Sequence, residues 1–160
     1  MLRVDDVELV ALQSLLERYG LYLNVQENGA EITGSFWGES EAGIVGRKVF
    51  VRRDTPIHSL LHETCHVICM SEARREGLDR DAGGDDLEES AVCYLQVVLA
   101  DEISGAGRRI VMSDMDTWGY SFRLGNTRDW FHYDAEDAAE FLINHGLLSS
   151  DGRPTFKLRA

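Results

Sequence analysis

The residues best suited to chemistry form the motif His62-Glu63-Thr64-Cys65-His66, which reads His-Glu-x-x-His and lies in an apolar segment. Residues four apart on a helix share one face, so His62 and His66 can present two imidazole nitrogens to one metal ion. Glu63 is close enough in angle to reach a water molecule on that metal. Zinc-assisted hydrolysis needs this arrangement, so the motif predicts Zn²⁺ held by both histidines, with Glu63 as general base.

A catalytic zinc site usually has a third protein ligand and one open position. The acidic segment 85–89 begins the next predicted helix and can supply that ligand. We expect Asp86 to be the helix N-cap, which places Glu89 at the capping-box position three residues later. Glu88 has no such local role, and Ala91, three residues after it, lets the two helices approach closely. We therefore predict Glu88 as the third ligand, with Glu89 as the alternative.

Hydrophobic periodicity and capping residues predict the elements that position these side chains. The first helix is predicted over residues 5–19, capped by Asp5. Strands 21–26 and 31–37 are expected to form a hairpin at Asn28-Gly29, followed by a strand over 44–53. Gly43 and Gly46 mark either a bend in that strand or an edge that a substrate backbone approaches. The motif helix is predicted over 56–75, capped by Thr55, and the acidic helix over 87–102.

The remaining chain is predicted to hold a short extended piece at 109–112, helices over 114–122, 127–133 and 135–145, and a loose tail over 149–160. No repeat or linker interrupts residues 1–160, so we expect a single domain. The predicted class is α+β, with a short mixed or antiparallel sheet packed on the motif helix and on the following glutamate-bearing helix.

Composition narrows the partners and the compartment. The chain has 160 residues and a net charge of −12, which disfavours binding to nucleic acid and to anionic membranes. It has no run of eighteen apolar residues, and its first residues lack the pattern of a signal peptide. Three cysteines without framework spacing are typical of a reducing compartment. These features predict a soluble, cytoplasmic protein.

A strand, a helix with Leu-His-Glu-Thr-Cys-His at 61–66, and a helix with Glu-Glu-Ser-Ala at 88–91 resemble the gluzincin branch of zinc metallopeptidases. More narrowly, they are similar to minimal gluzincins and ImmA/IrrE-like peptidases, over about residues 44–100. The resemblance implies a zincin-like fold, with His62, His66 and Glu88 as ligands and an edge strand before the motif helix that holds peptide substrate. The position after the alanine often carries a polar residue that supports a histidine ligand, but here it is Val92.

These observations predict a zinc metallopeptidase that hydrolyses peptide bonds in a peptide or protein substrate. The alternative is a zincin-fold module that binds a protein partner, with structural zinc or latent activity. A peptidase also needs a donor for the developing oxyanion, and the aromatic segment after the two metal helices offers Tyr120, His132 and Tyr133. The sequence does not indicate an oligomeric state.

Overall fold

Residues 1–36, 38 and 40–160, which a computed structural model describes, form an α+β fold of seven α-helices and a three-stranded mixed sheet. The predicted α+β class is confirmed at this level. None of the helices in these ranges is long and apolar enough to cross a membrane. After a 3₁₀ helix at Val4–Asp6, the elements are α1 (Leu9–Arg18), β1 (Tyr22–Val25), β2 (Gly43–Val45), β3 (Lys48–Val51), α2 (Ile57–Cys69), α3 (Glu72–Glu76), α4 (Asp86–Ala100), α5 (Arg108–Trp118), α6 (Thr127–Tyr133) and α7 (Glu136–Asn144).

The sheet has the strand order β1-β3-β2, with β1 parallel and β2 antiparallel to β3. The strand predicted over 44–53 is therefore a hairpin that turns at Gly46, whose φ of 58° is in the left-handed region. The hairpin predicted at Asn28-Gly29 is wrong. The described residues of 31–37 form no strand, and Trp37 lies outside them. The backbone N–H of Thr33 instead donates to Gln26 Oε1 at 2.9 Å.

Helix α2 carries the motif and has two different sides. Its core side consists of fully buried apolar residues, among them Leu61, Cys65 and Ile68, and it packs mainly against α4. The burial of this side aligns α2 with α4, and the adjacent side of α2 can then present polar groups to a cleft. Helix α2 therefore buries one side in the core, while His62 and Glu63 on its other side line the cleft.

The motif helix ends at Cys69 rather than near residue 75, because Met70 has an extended backbone (φ −76°, ψ 158°). Helix α3 then begins after its N-cap Ser71, and the side chain of Arg75 on α3 points back to the end of α2. Arg75 is only 1% exposed, and its guanidinium donates to Val67 O at 2.8 Å and to Met70 O at 2.6 Å. These bonds satisfy carbonyl groups that the end of α2 leaves without helical partners. The buried Arg75 side chain therefore caps the C-terminal end of the motif helix.

Two C-terminal expectations also change. Residues 109–112 belong to α5 and are not extended. The segment 149–160, expected to be loose, is held against the end of α2: Arg159 N–H donates to Ile68 O at 3.0 Å, and its guanidinium donates to Cys69 O at 3.1 Å. The Phe156 ring also lies 5.4 Å from that of Tyr19. Specific hydrogen bonds and ring packing fix this segment, although its polar composition does not indicate them.

Candidate metal centre

Three side chains from α2 and α4 converge at the mouth of a cleft. Glu89 places one carboxylate oxygen 3.1 Å from His62 Nε2 and the other 3.1 Å from His66 Nε2. The three ligand atoms all lie within 4.8 Å of one another. Ala91 and Val92, which are fully buried, follow Glu89 on α4 and help to keep the two helices close. The predicted pair of histidines is thus brought together with a carboxylate from the acidic helix.

That carboxylate belongs to Glu89, the alternative, and not to Glu88, the residue predicted first. The reason is a one-residue shift of the helix cap. Asp85, not Asp86, is the N-cap of α4, and its Oδ1 accepts from Glu88 N–H at 2.9 Å. The third helical position is therefore Glu88, while Glu89 is rotated by about 100° towards α2. The capping-box position predicted at Glu89 is therefore occupied by Glu88, and Glu89 faces the two histidines.

Glu88 instead forms a buried ion-pair network. Its side chain is 5% exposed and receives a two-pronged contact from Arg74, with Nη1 to Oε1 at 2.7 Å and Nη2 to Oε2 at 2.9 Å. Arg159 adds a third bond, 3.1 Å from Nη1 to Oε1. Arg74 also donates to Ala82 O at 2.6 Å, on the loop that forms one wall of the cleft. Glu88 therefore stabilises the wall of the site and does not face the two histidines.

The charges at the cluster are strongly coupled. Burial disfavours an ionised Glu89, but hydrogen bonds with His62 and His66 outweigh it and hold the pKa of Glu89 well below its usual range. Burial alone would lower the pKa of His62, but the surrounding Tyr120, Cys93 and Glu89 side chains raise it well above its ordinary value. A raised pKa favours a proton on both nitrogens of His62 when no metal is bound. Metal binding at this cluster would therefore release protons.

Gln96 orients the His62 ring from α4. Its amide nitrogen donates to His58 O at 2.7 Å and lies 3.2 Å from Tyr120 Oη, so its Oε1, 3.0 Å from His62 Nδ1, is the acceptor. His62 Nδ1 therefore carries a proton, and Nε2 points towards Glu89. Gln96 is the support that Val92 does not provide. The spacing of seven residues from Glu89 places both on one face of α4, which is the sequence signal that could have identified it.

Tyr120 lies at this site, unlike the other two predicted oxyanion donors. Its hydroxyl oxygen is 3.1 Å from His58 Nδ1 and accepts from Gln96 Nε2 at 3.2 Å. Burial lowers the pKa of His58 to about 4 and raises that of Tyr120 to about 12, so both are neutral near pH 7. His132 and Tyr133 lie together on α6, outside the cleft lining, and Tyr133 is 75% exposed.

The cleft beside the cluster has a volume of about 410 Å³ and is lined by Glu63, Glu41 and Trp118 as well as by the ligand set. Burial raises the pKa of Glu63, and the nearby Glu89 raises it further, while the two histidines act in the opposite direction. Two imidazole nitrogens and one carboxylate are a donor set that fits Zn²⁺ and other first-row divalent metals. The arrangement can therefore bind a metal ion with a carboxylate base in the same cleft.

The edge of β2 is occupied by the chain itself. Ile44 N–H donates to Gly34 O at 3.0 Å, and Ile44 O accepts from Arg80 N–H at 2.9 Å. Gly46 N–H donates to Leu78 O at 3.0 Å. A substrate strand cannot use the same backbone groups of Ile44 while these bonds are made. The implied role of this edge in holding a peptide backbone is therefore not available at Ile44 in this conformation.

Comparison with known proteins adds no relative. No protein-family model, no curated protein and no solved structure matches this chain. The resemblance to gluzincins therefore stands on the motif residues, and the function has to be inferred from the geometry of the site.

Proposed function

We propose that this protein is a zinc-dependent hydrolase that cleaves peptide bonds, with His62, His66 and Glu89 as metal ligands and Glu63 as general base. One observation carries the proposal: the Glu89 carboxylate lies 3.1 Å from both Nε2 atoms, in the cleft that Glu63 also lines. Two histidines and a carboxylate leave a fourth position open at a tetrahedral metal, as catalytic zinc sites require.

Each ligand has a defined task in binding. His62 offers Nε2 because Gln96 accepts from its Nδ1, which fixes the ring and its tautomer. His66 offers Nε2 from the next turn of α2, and Glu89 supplies a carboxylate from α4. Bound zinc would supply a Lewis acid that polarises a carbonyl group and lowers the pKa of water. The ligands must lose protons to bind, so affinity should fall as the pH falls.

Glu63 is placed to move protons. Burial raises its pKa from the ordinary value of a glutamate, which makes its carboxylate a better acceptor near neutral pH. It would take a proton from the attacking water at a carboxylate oxygen and pass it to the leaving amide nitrogen. Tyr120 keeps its hydroxyl proton near neutral pH because burial raises its pKa to about 12, and its oxygen lies 3.1 Å from His58 Nδ1. A substrate oxygen would have to compete with His58 and Gln96 for this hydroxyl group.

A second candidate is a protein-binding module in which zinc is structural or activity is latent. The observation that favours it is the occupied β2 edge, where Gly34 and Arg80 already bond to Ile44. A peptidase that aligned its substrate by strand addition would need those groups free. Under this alternative, zinc would be retained but no peptide would be cleaved.

The test combines metal analysis with a cleavage assay. Wild-type protein loaded with zinc should hold one equivalent after dialysis and should cleave members of a peptide library followed by mass spectrometry. Glu63→Gln should keep the zinc and lose at least about 100-fold in cleavage rate, because general-base catalysis contributes roughly 10²–10⁴-fold. Glu76→Gln, which changes an exposed glutamate on α3, is the matched control and should behave as wild type.

Two results would overturn the proposal in different ways. If wild-type protein binds no zinc, the metal site itself is wrong. If it binds zinc but cleaves no peptide, the hydrolase reading fails and the binding module takes its place.

A further inference from the structure

We propose that Glu41 makes the cleft selective for peptides that carry a lysine or arginine side chain beside the cleaved bond. This inference names the substrate class of the same site and so rests on the proposed function.

The backbone at Glu41 is anchored to the motif helix. The neighbouring residue Ala42 is 2% exposed, and its N–H donates to Ser59 Oγ at 2.9 Å. Ser59 lies four residues before Glu63, on the same face of α2. The next residue, Gly43, fits so closely that an added Cβ would lie 2.0 Å from Thr33 O. Glu41 is therefore held in a fixed place next to the turn of α2 that precedes Glu63.

The Glu41 side chain lines the cleft and is only partly exposed. In the described part of the chain, no side chain forms a hydrogen bond or ion pair with it. Burial and the charge of Glu63 raise the pKa of Glu41, while His62 acts in the opposite direction. A carboxylate that is partly removed from water and unpaired is less favourable than one that a cation reaches. The cleft thus presents a charge that a cationic ligand would complement.

The described residues of the cleft lining have an excess of negative charge. They include the carboxylates of Glu41, Glu63, Asp81 and Glu89 and one guanidinium, that of Arg80. A divalent metal ion would still leave one net negative charge when all four carboxylates are ionised and the histidines are neutral. Arg80 is itself 61% exposed, with Nε 3.5 Å from an oxygen of Asp79. A cationic ligand would offset this remaining negative charge.

The cleft also offers an aromatic surface. Trp118 is 42% exposed at the cleft lining, with its ring packed 5.1 Å from that of His58. Lysine and arginine bury their apolar stems against aromatic rings, and their charged heads are attracted to the ring face. An indole surface together with an unpaired carboxylate suits these two side chains better than an acidic or purely aliphatic one.

Side-chain recognition matters here because backbone recognition is restricted. The β2 edge, where a peptide could add as a strand, is already bonded to Gly34 and Arg80. A substrate must then gain much of its affinity and register from side chains inside the cleft. The carboxylate of Glu41, which is carried by a backbone segment held against α2, can provide that register.

The test measures peptide binding without turnover. Zinc-loaded Glu63→Gln protein is titrated with fluorescent peptides that differ at one central position: lysine, the uncharged isostere norleucine, or glutamate. We expect the lysine peptide to bind at least about tenfold more tightly than the norleucine peptide at low salt. Adding Glu41→Gln should reduce this ratio to about twofold or less. Adding Glu140→Gln, an exposed glutamate on α7, should leave the ratio unchanged.

A charge-reversal variant, Glu41→Lys, supplies a second readout and should favour the glutamate peptide. Zinc content and melting temperature are measured for each variant, so that a misfolded protein is recognised. Equal binding of the lysine and norleucine peptides to the parent, or a preference that survives both Glu41 variants, would overturn the selectivity. If wild-type protein cleaves library peptides without enrichment of lysine or arginine near the cut, only this inference fails. If zinc is bound but no peptide is bound or cleaved, both the proposed function and this selectivity fail.

Discussion

Replacing Glu88 and Glu89 one at a time by glutamine should separate metal binding from folding stability. The two residues are adjacent on α4 and differ only in the direction of their side chains. Glu89 contacts His62 and His66, whereas Glu88 contacts Arg74 and Arg159. The same chemical change should therefore reduce metal affinity at Glu89 and folding stability at Glu88.

For Glu89→Gln the main loss is in metal affinity. The substitution removes the negative charge 3.1 Å from both Nε2 atoms. Changes to groups that only support a ligand weaken binding about 10–100-fold, so loss of a ligand charge should weaken it by at least about 100-fold, or about 2.7 kcal/mol. The Glu89 side chain is 49% exposed, so the metal-free protein should change in stability by less than about 1 kcal/mol.

For Glu88→Gln the main loss is in stability. The side chain is 5% exposed and accepts three charge-assisted bonds at 2.7, 2.9 and 3.1 Å. Glutamine keeps one acceptor oxygen, but Arg74 and Arg159 are 37% and 24% exposed and can recover some hydration. We expect a loss of about 3 kcal/mol, at the lower end of the roughly 3–5 kcal/mol for a broken buried pair. In a chain of this size that lowers the melting temperature by about 6–12 °C.

The assay pairs two measurements on each variant. Zinc affinity is obtained by competition with a chromophoric chelator, and stability by thermal unfolding in EDTA, so that metal binding does not enter the melting temperature. Glu88→Gln should keep its zinc affinity within about threefold of wild type, because Glu88 contacts neither histidine. The reasoning is refuted if Glu88→Gln loses zinc while Glu89→Gln retains it, since the third ligand would then be Glu88.

Two further predictions follow from the groups behind the ligands. Gln96→Leu should weaken zinc binding by about 10–100-fold, because His62 Nδ1 loses its acceptor. Gln96→Glu keeps an acceptor and should weaken zinc binding less. If chelator competition gives wild type and Gln96→Leu the same zinc affinity, Gln96 does not support the site. His58 is 1% exposed and its pKa is lowered to about 4, so below pH 6.5 the unfolded chain binds a proton there that the folded chain does not. The contribution of His58 to the free energy of unfolding is therefore fully present above pH 6.5 and is lost as the pH falls. Between pH 6.5 and 5 the metal-free wild type should lose about 2 kcal/mol relative to His58→Gln in denaturant unfolding, and parallel pH profiles would contradict this.

The local part of the site was predictable from the sequence. His62 and His66 are four residues apart, and helical periodicity alone places them on one face. The buried side of α2 followed from its apolar residues for the same reason. Helix α6 matches the predicted range 127–133, where Asn126 caps the helix by accepting from Asp129 N–H. In each case the pattern and its structural cause lie within a few residues of each other.

The tertiary structure decided the rest, because it depends on contacts between distant segments. Which of Glu88 and Glu89 faces the two histidines depends on how α4 is rotated against α2, and a shift of one residue turns a side chain by about 100°. Gln96 reaches His62 across 34 positions and Tyr120 reaches His58 across 62, which local periodicity does not encode. The parallel pairing of β1 with β3 likewise replaced a hairpin that its turn residues favoured, since strand partners are selected by burial across the whole sheet.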